Sequence, residues 1–189
     1  KRIIHILKAQ TFSFAPFLST NFCYPIFFRK KIAKFACYLS PHKEMKFADI
    51  QLHEQAISRL REMVNTQRIP HAILLSGESG VPKLPVAMAF AQYLHCQNPV
   101  NGDACGKCPS CLQHQSFNHP DTFFSFPVLK KDKIDTSDDF LEQWKEFLTT
   151  GRTETQQRWL ATLRSEEKRP QIYVHESEII LHRMNLAPY

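Results

Sequence analysis

The sequence predicts an α/β fold of the nucleotide-binding type that carries a metal-stapled insertion. Two observations predict it. A short apolar run at 71–76 leads into a loop, Gly77-Glu78-Ser79-Gly80-Val81-Pro82-Lys83, and then into a helix-forming stretch at 86–94 that is apolar on one face. Strand, glycine loop and helix in that order are the setting in which backbone N–H groups and a helix N-terminus hold phosphate. Directly downstream, Cys96, Cys105, Cys108 and Cys111 fall in the pattern C-x8-C-x2-C-x2-C.

Thiolates at Cys-x2-Cys spacing close on one ion from a tight turn, and a third and fourth sulfur complete the tetrahedron that structural zinc prefers. The turn is well made for this, because Gly106 supplies conformational freedom, Pro109 fixes a dihedral, and Asn101-Gly102-Asp103 gives a flexible approach from Cys96. Two other readings stand beside zinc. A disulfide pair needs an oxidising compartment, whereas thiolate ligands fit a reducing cytoplasm. An iron–sulfur cluster would use Cys105, Cys108 and Cys111 as the first three positions of a C-x2-C-x2-C-x3-C-P run. Residue 115 is Gln, however, so the fourth ligand would be Cys96, an arrangement that suits structural zinc better. His95, His114 and His119 are alternative ligands, but four sulfurs already close the site, and they read as ordinary surface histidines.

A working phosphate loop, G-x4-G-K-[ST], needs backbone N–H groups around the phosphates, a lysine on the β/γ oxygens and a hydroxyl on Mg²⁺. Here Gly77 and Lys83 stand in register, but the Gly expected before the Lys is Pro82, the expected Ser/Thr is Leu84, and Pro85 follows. Each proline removes an N–H donor, and leucine cannot ligate magnesium. The expectation is that the degenerate loop Gly77, Gly80, Lys83 binds no nucleotide and that the chain has no catalytic residues. Pro85 sits in the first helical turn, where proline is tolerated.

At these residues the chain resembles the bacterial DNA polymerase III clamp-loader subunits, an AAA+ family. The resemblance covers 45–189. It rests on Met45-Lys46-Phe47-Ala48-Asp49-Ile50 with His53-Glu54, on Arg68-Ile69-Pro70-His71 running through Gly77, on the cysteine cluster, and on His119-Pro120-Asp121 before a strand. It implies a truncated AAA+ (P-loop NTPase-like) first lobe with a four-cysteine zinc insertion at 96–111, Zn as cofactor, and Cys96, Cys105, Cys108 and Cys111 as ligands. Two related subunits share this layout: the motor subunit (gamma/tau-like) keeps an intact ATP loop, and the delta-prime subunit commonly has a degenerate one. Pro82 and Leu84 favour the second. The resemblance then implies a non-hydrolysing member of a hetero-pentamer that helps place the sliding clamp on primed DNA, meeting clamp and DNA indirectly through its neighbours. The alternatives are a motor subunit or stand-alone P-loop ATPase, and an unrelated zinc or iron–sulfur module.

The formal charge of +6 belongs to the leader. Residues 1–44 hold eight Lys/Arg against Glu44 alone, whereas the rest holds sixteen bases against seventeen acids, so overall charge is no evidence of a DNA grip. The leader carries seven of fifteen phenylalanines and no glycine, without a steady period. Its uncharged stretch at 9–28 is too diluted by Gln, Thr, Ser, Asn and Pro for a membrane span, and no membrane partner is expected. A targeting segment is a second option; the preferred expectation is an extension without a fold, with translation starting at Met45.

Beyond the cysteines, 121–128 reads as a strand stopped by Pro127, followed by a solvated Lys130-Lys131-Asp132-Lys133 turn. Ser137-Asp138-Asp139 caps a helix with Phe140, Leu141, Trp144, Phe147 and Leu148 on its apolar side, stopped by Gly151. A second amphipathic helix includes Trp159, Leu160 and Leu163; both tryptophans read as core anchors. Residues 171–174 read as a short strand, and 176–184 as a last helix with Ile179, Ile180 and Met184 inward. The further strands, helical lid and collar of an AAA+ clamp-loader subunit do not follow, so the lobe is expected to be incomplete and partner-dependent.

Overall fold

The computed structural model describes residues 4–7, 45–50, 53–78, 80–130, 135–150, 156–164 and 169–186. In chain order the elements are β1 (Ile4–Leu7), α1 (Glu54–Asn65), α2 (Lys83–His95), α3 (Pro109–Gln115), β2 (Thr122–Ser125), α4 (Leu141–Thr150), α5 (Gln156–Thr162) and α6 (Val174–Met184), with 3₁₀ turns at Phe47–Asp49 and Asp138–Phe140. Helices dominate, and the sheet among the described residues is two parallel strands, with Ile4 opposite Thr122 and Leu7 opposite Ser125.

The organising element is α2. At 100° per residue, Leu84, Met88 and Ala91 point one way and Val86, Ala89, Phe90 and Tyr93 the other, so the helix is apolar on opposite faces and has a core on each side. On the first side α2 meets Phe117, Phe124, Phe126 and Val128 and the helical residues Trp144, Phe147 and Trp159. Both tryptophans are 1 % exposed, which confirms them as core anchors. Phe126 stacks on Trp144 with ring centroids 4.2 Å apart, Trp159 meets Trp144 edge-on at 5.2 Å, and the Trp159 indole N–H donates to the Pro127 carbonyl at 2.7 Å. Such aromatic pairs add about 0.5–1.5 kcal/mol each beyond their buried area. On the second side α2 meets Phe47, α1 through Ile57 and Leu60, and the cysteine loop through Ala104, Cys108 and Cys111.

Asp103 locks that loop to the start of the folded region. Its carboxylate is buried and accepts the N–H groups of Phe47 (3.1 Å), Ala48 (2.8 Å) and Ala104 (2.8 Å).

Several sequence expectations change. The run at 71–76 is not a strand: 72–78 is irregular, Leu74 is 81 % exposed, and no ladder partner lies beside it among the described residues. An apolar run becomes a strand only where another backbone pairs with it, and the described partner of β2 is β1. Since β1 lies within 1–44, the expected absence of a fold there does not extend to 4–7, whose Ile4-His5-Ile6-Leu7 is rich in strand-favouring residues. The 171–174 strand reduces to a single antiparallel bridge, Val128 to Gln171. In α6, Ile179 and Ile180 are half-buried as expected, but Met184 is exposed, because the face at Glu176 is the one drawn inward. The Glu176 carboxylate accepts the Ser137 N–H at 2.8 Å. Ser79, Gly151, 131–134 and 8–44 lie outside the described residues.

Replacing Asp103 by Ala should cost about 1–3 kcal/mol by orphaning buried N–H groups, and Asp103→Asn should cost less by keeping one acceptor oxygen. Urea denaturation checks this; an unchanged midpoint in Asp103→Ala would refute the lock.

Candidate metal centre

Local backbone geometry converges the four cysteines. Cys96 ends α2 in extended conformation, and Asn101 and Gly102, both with positive φ, reverse the chain. Gly106 has φ +74°, a left-handed conformation in which an L side chain is strained, so glycine makes this turn at least cost. Cys108 caps α3 with Pro109 in its first turn, and Cys111 follows on the buried face. The four sulfurs lie within 4.8 Å of one another. Cys105 and Cys111 are 3.9 Å apart, far beyond a disulfide bond and close to the about 3.8 Å that 2.3 Å Zn–S bonds impose across a tetrahedron. All four are free thiols.

Amide groups already face the sulfurs. Lys107 and Cys108 donate their N–H groups to Cys105 Sγ, each at 3.4 Å, and Cys105 N–H reaches Cys96 Sγ at 3.3 Å. The Lys107 and Cys108 amides bring the Cys105 thiol down to about 6, so this sulfur is a thiolate near neutrality. Burial pushes Cys111 up to about 12 and also raises Cys96. Two thiols that hold their protons beside one that does not form a donor set that a divalent cation would complete by displacing protons.

Beside the sulfurs lies a second cluster, and it corrects the reading of its members as surface histidines. His114 and His119 are buried and His95 is half-buried. His95 Nδ1 and His114 Nε2 share a hydrogen bond of 3.0 Å. Their ring centroids are 5.2 Å apart, while His119 lies 4.4 and 4.3 Å from them and nearly parallel, so its ring lies across the hydrogen-bonded pair. Burial, with His119 and His95 adding to it, drops His114 to about 3 and keeps the ring neutral. Sequence spacing held part of this signal: His95 adjoins Cys96, and His114 stands three residues after Cys111 on the same face of α3. Gln92, 1 % exposed, was missed altogether. Its amide approaches the Cys111 sulfur closely enough to favour the thiolate, yet neither amide atom reaches hydrogen-bonding geometry.

The glycine loop contrasts with this centre. Gly77 and Gly80 are exposed, and Lys83 begins α2. Its ammonium group donates to the carbonyls of Gly77 (3.1 Å) and Glu78 (2.7 Å), so it is folded onto its own loop. The Val81 and Lys83 N–H groups are occupied by Glu78 and Val81 carbonyls. Leu84, at the position of a magnesium-binding hydroxyl, is 7 % exposed and belongs to the core.

Among the described residues no helix is long and apolar enough to cross a membrane. Three of the relatives that match part of the chain illustrate the similarity. The DNA polymerase III subunit tau/gamma of Haemophilus influenzae is 30 % identical over 96 residues, 51 % of this chain and 14 % of the relative. The DNA polymerase III subunit delta' of Bacillus subtilis is 30 % identical over 71 residues, covering 38 % and 21 %, and that of Escherichia coli is 31 % identical over 64 residues, covering 34 % and 19 %. The matches thus span about a fifth or less of these relatives' own lengths. No solved structure matches significantly. A family described as "DNA polymerase III, delta subunit" matches residues 52–167, well over half the chain, from α1 through the cysteine and histidine clusters to α5. This is the family that the loop and cysteines resemble, and the chain belongs to it.

Proposed function

We propose that the chain acts as a delta-prime-like, non-hydrolysing subunit of a DNA polymerase III clamp loader, stapled by zinc at Cys96, Cys105, Cys108 and Cys111. It would sit among other subunits in a hetero-pentamer, and help open the sliding clamp and place it on primed DNA. The observation that carries the non-hydrolysing part is the loop: Lys83 donates to its own loop carbonyls, two prolines remove donors, and Leu84 is committed to the core. A phosphate group arriving there would find the lysine and the Val81 and Lys83 amides already engaged. The similarity to tau/gamma subunits over half the chain favours, as the second reading, a motor-type subunit that binds ATP.

Nucleotide binding separates the two. Calorimetric titration with Mg·ATP should show no saturable binding to the chain, with Lys83→Ala indistinguishable from it. Saturable binding lost in Lys83→Ala would install the motor reading.

The zinc is tested through its ligands. Cys105→Ser with Cys108→Ser should abolish sulfur-bound zinc in X-ray absorption and lower the thermal midpoint, since binding energy at such a site is folding energy. A variant that keeps both would sink the staple.

Acidity gives a further check. Because Cys96 and Cys111 keep their protons at neutral pH, zinc must displace them, and protons compete more as pH falls. Apparent affinity in a chelator competition should therefore rise with pH through neutrality, by at least about two decades per unit, one for each displaced proton.

A further inference from the structure

Gln92 lies in α2 one turn before Cys96, at 1 % exposure, and neither its Oε1 nor its Nε2 has a hydrogen-bond partner among the described residues. Buried polar atoms without partners are uncommon and costly. We infer that Gln92 is a positioning residue of the cysteine centre, whose Nε2–H donates to the Cys111 sulfur once that sulfur is a metal-bound thiolate. The inference rests on the zinc reading above and names the side chain that supports one of its ligands.

Three observations carry it. First, Cys111 is the sulfur most in need of a donor. It is 0 % exposed and packs in the apolar core with Phe47 and Ile57, where water does not reach it. Four thiolates around a divalent cation leave an excess of negative charge, which in such a setting is stabilised by N–H groups aimed at the sulfurs. Cys105 Sγ already receives the Lys107 and Cys108 amides, and Cys96 Sγ that of Cys105.

Second, the side chain is at hand. Burial raises the Cys111 thiol, and among the groups that oppose it the Gln92 side chain is foremost, ahead of the Gly106 amide. Gln92 and Cys96 share one face of α2, so the amide is carried on the same element as a ligand. The last torsion of a glutamine is broad, and the amide plane turns into line with the sulfur at little cost.

Third, chemistry fixes which end of the amide faces the sulfur. A thiolate accepts and cannot donate, so Gln92 presents its nitrogen and turns Oε1 away. A cavity of about 10 Å³ is lined by Gln92 and Thr122, whose Oγ1 is also buried without a partner. That volume admits about one water molecule. Such a water donates to Gln92 Oε1 and accepts from the Thr122 hydroxyl, which holds the amide in its donating orientation.

The test is Gln92→Met, which keeps the length of the side chain and removes the N–H donor, compared with the wild-type full chain after loading with Co²⁺. The expected result is a sulfur-to-cobalt charge-transfer band shifted to longer wavelength, because a thiolate relieved of a hydrogen bond gives up an electron more easily. Zinc affinity in chelator competition should fall about ten- to a hundredfold. A band that stays in place overturns the role even if affinity falls, since repacking alone weakens binding without changing the electronics of the sulfur. If Gln92→Met fails to fold, NMR of the wild-type chain loaded with ¹¹³Cd decides. A scalar coupling between cadmium and the Gln92 side-chain amide, carried through the N–H···S bond, supports the role, and couplings to backbone amides alone overturn it. A wild-type chain that shows no sulfur-to-cobalt charge transfer sinks the zinc reading and this inference with it, whereas a normal wild-type band that Gln92→Met leaves unmoved sinks the inference alone.

Discussion

A helix that is apolar on opposite faces cannot lie on a surface, and α2 is such a helix. Leu84, Met88 and Ala91 need one cover while Val86, Ala89, Phe90 and Tyr93 need another. That requirement divides the described chain into two cores and assigns each flanking segment to a side. The aromatic group around Trp144 closes the first, and α1 with the cysteine loop closes the second. The cysteine cluster is therefore built into the core rather than added to a finished domain. Cys108 and Cys111 are themselves part of the wall that covers α2, and Asp103 fastens that wall to Phe47 and Ala48.

The same constraint explains why both side-chain clusters lie where α2 ends. His95 and Cys96 are consecutive residues at its C-terminus, and α3 brings His114 and Cys111 back on a single helical face. Gln92, one turn earlier, stands at the border between the two faces of α2, approaching Cys111 on one side and the small cavity on the other. A buried amide in that position is costly unless something is bound to it. The two clusters thus share α2, α3 and Gln92 as supports.

Much of this was legible in the sequence, for physical reasons. Cysteine spacing and turn residues are local, so the convergence of four sulfurs could be read from Gly106 and Pro109. The period of α4 is local too, and both tryptophans declared themselves as anchors, whereas α1 was not read as a helix and α2, read as apolar on one face, is apolar on two. What was not legible depends on partners distant in sequence. Whether 71–76 forms a strand depends on whether another backbone pairs with it, and the pairing of Ile4–Leu7 with β2 joins segments that no window of residues connects. The histidines were misjudged for a related reason: a lone imidazole reads as a surface group, and only packing reveals three of them stacked against one another.

The core also bears on how the glycine loop came to have its chemistry. In a working phosphate loop the residue after the lysine is a small hydroxyl that leaves the helix start open to magnesium. Here that position is Leu84, packed with Met88, Phe124 and Trp144 in the aromatic core. Truncating a buried leucine costs about 2–5 kcal/mol, a large share of a domain's net stability. A reversion to Ser or Thr at this position would therefore trade core packing for a magnesium ligand, with Pro82 and Pro85 still withholding amides and Lys83 still bound to Gly77 and Glu78. These residues act together: each differs from a working phosphate loop at a different contact, and Leu84 fills the core at the same place. A loop coupled to the core in this way is held in its present form by the stability of the helix it starts.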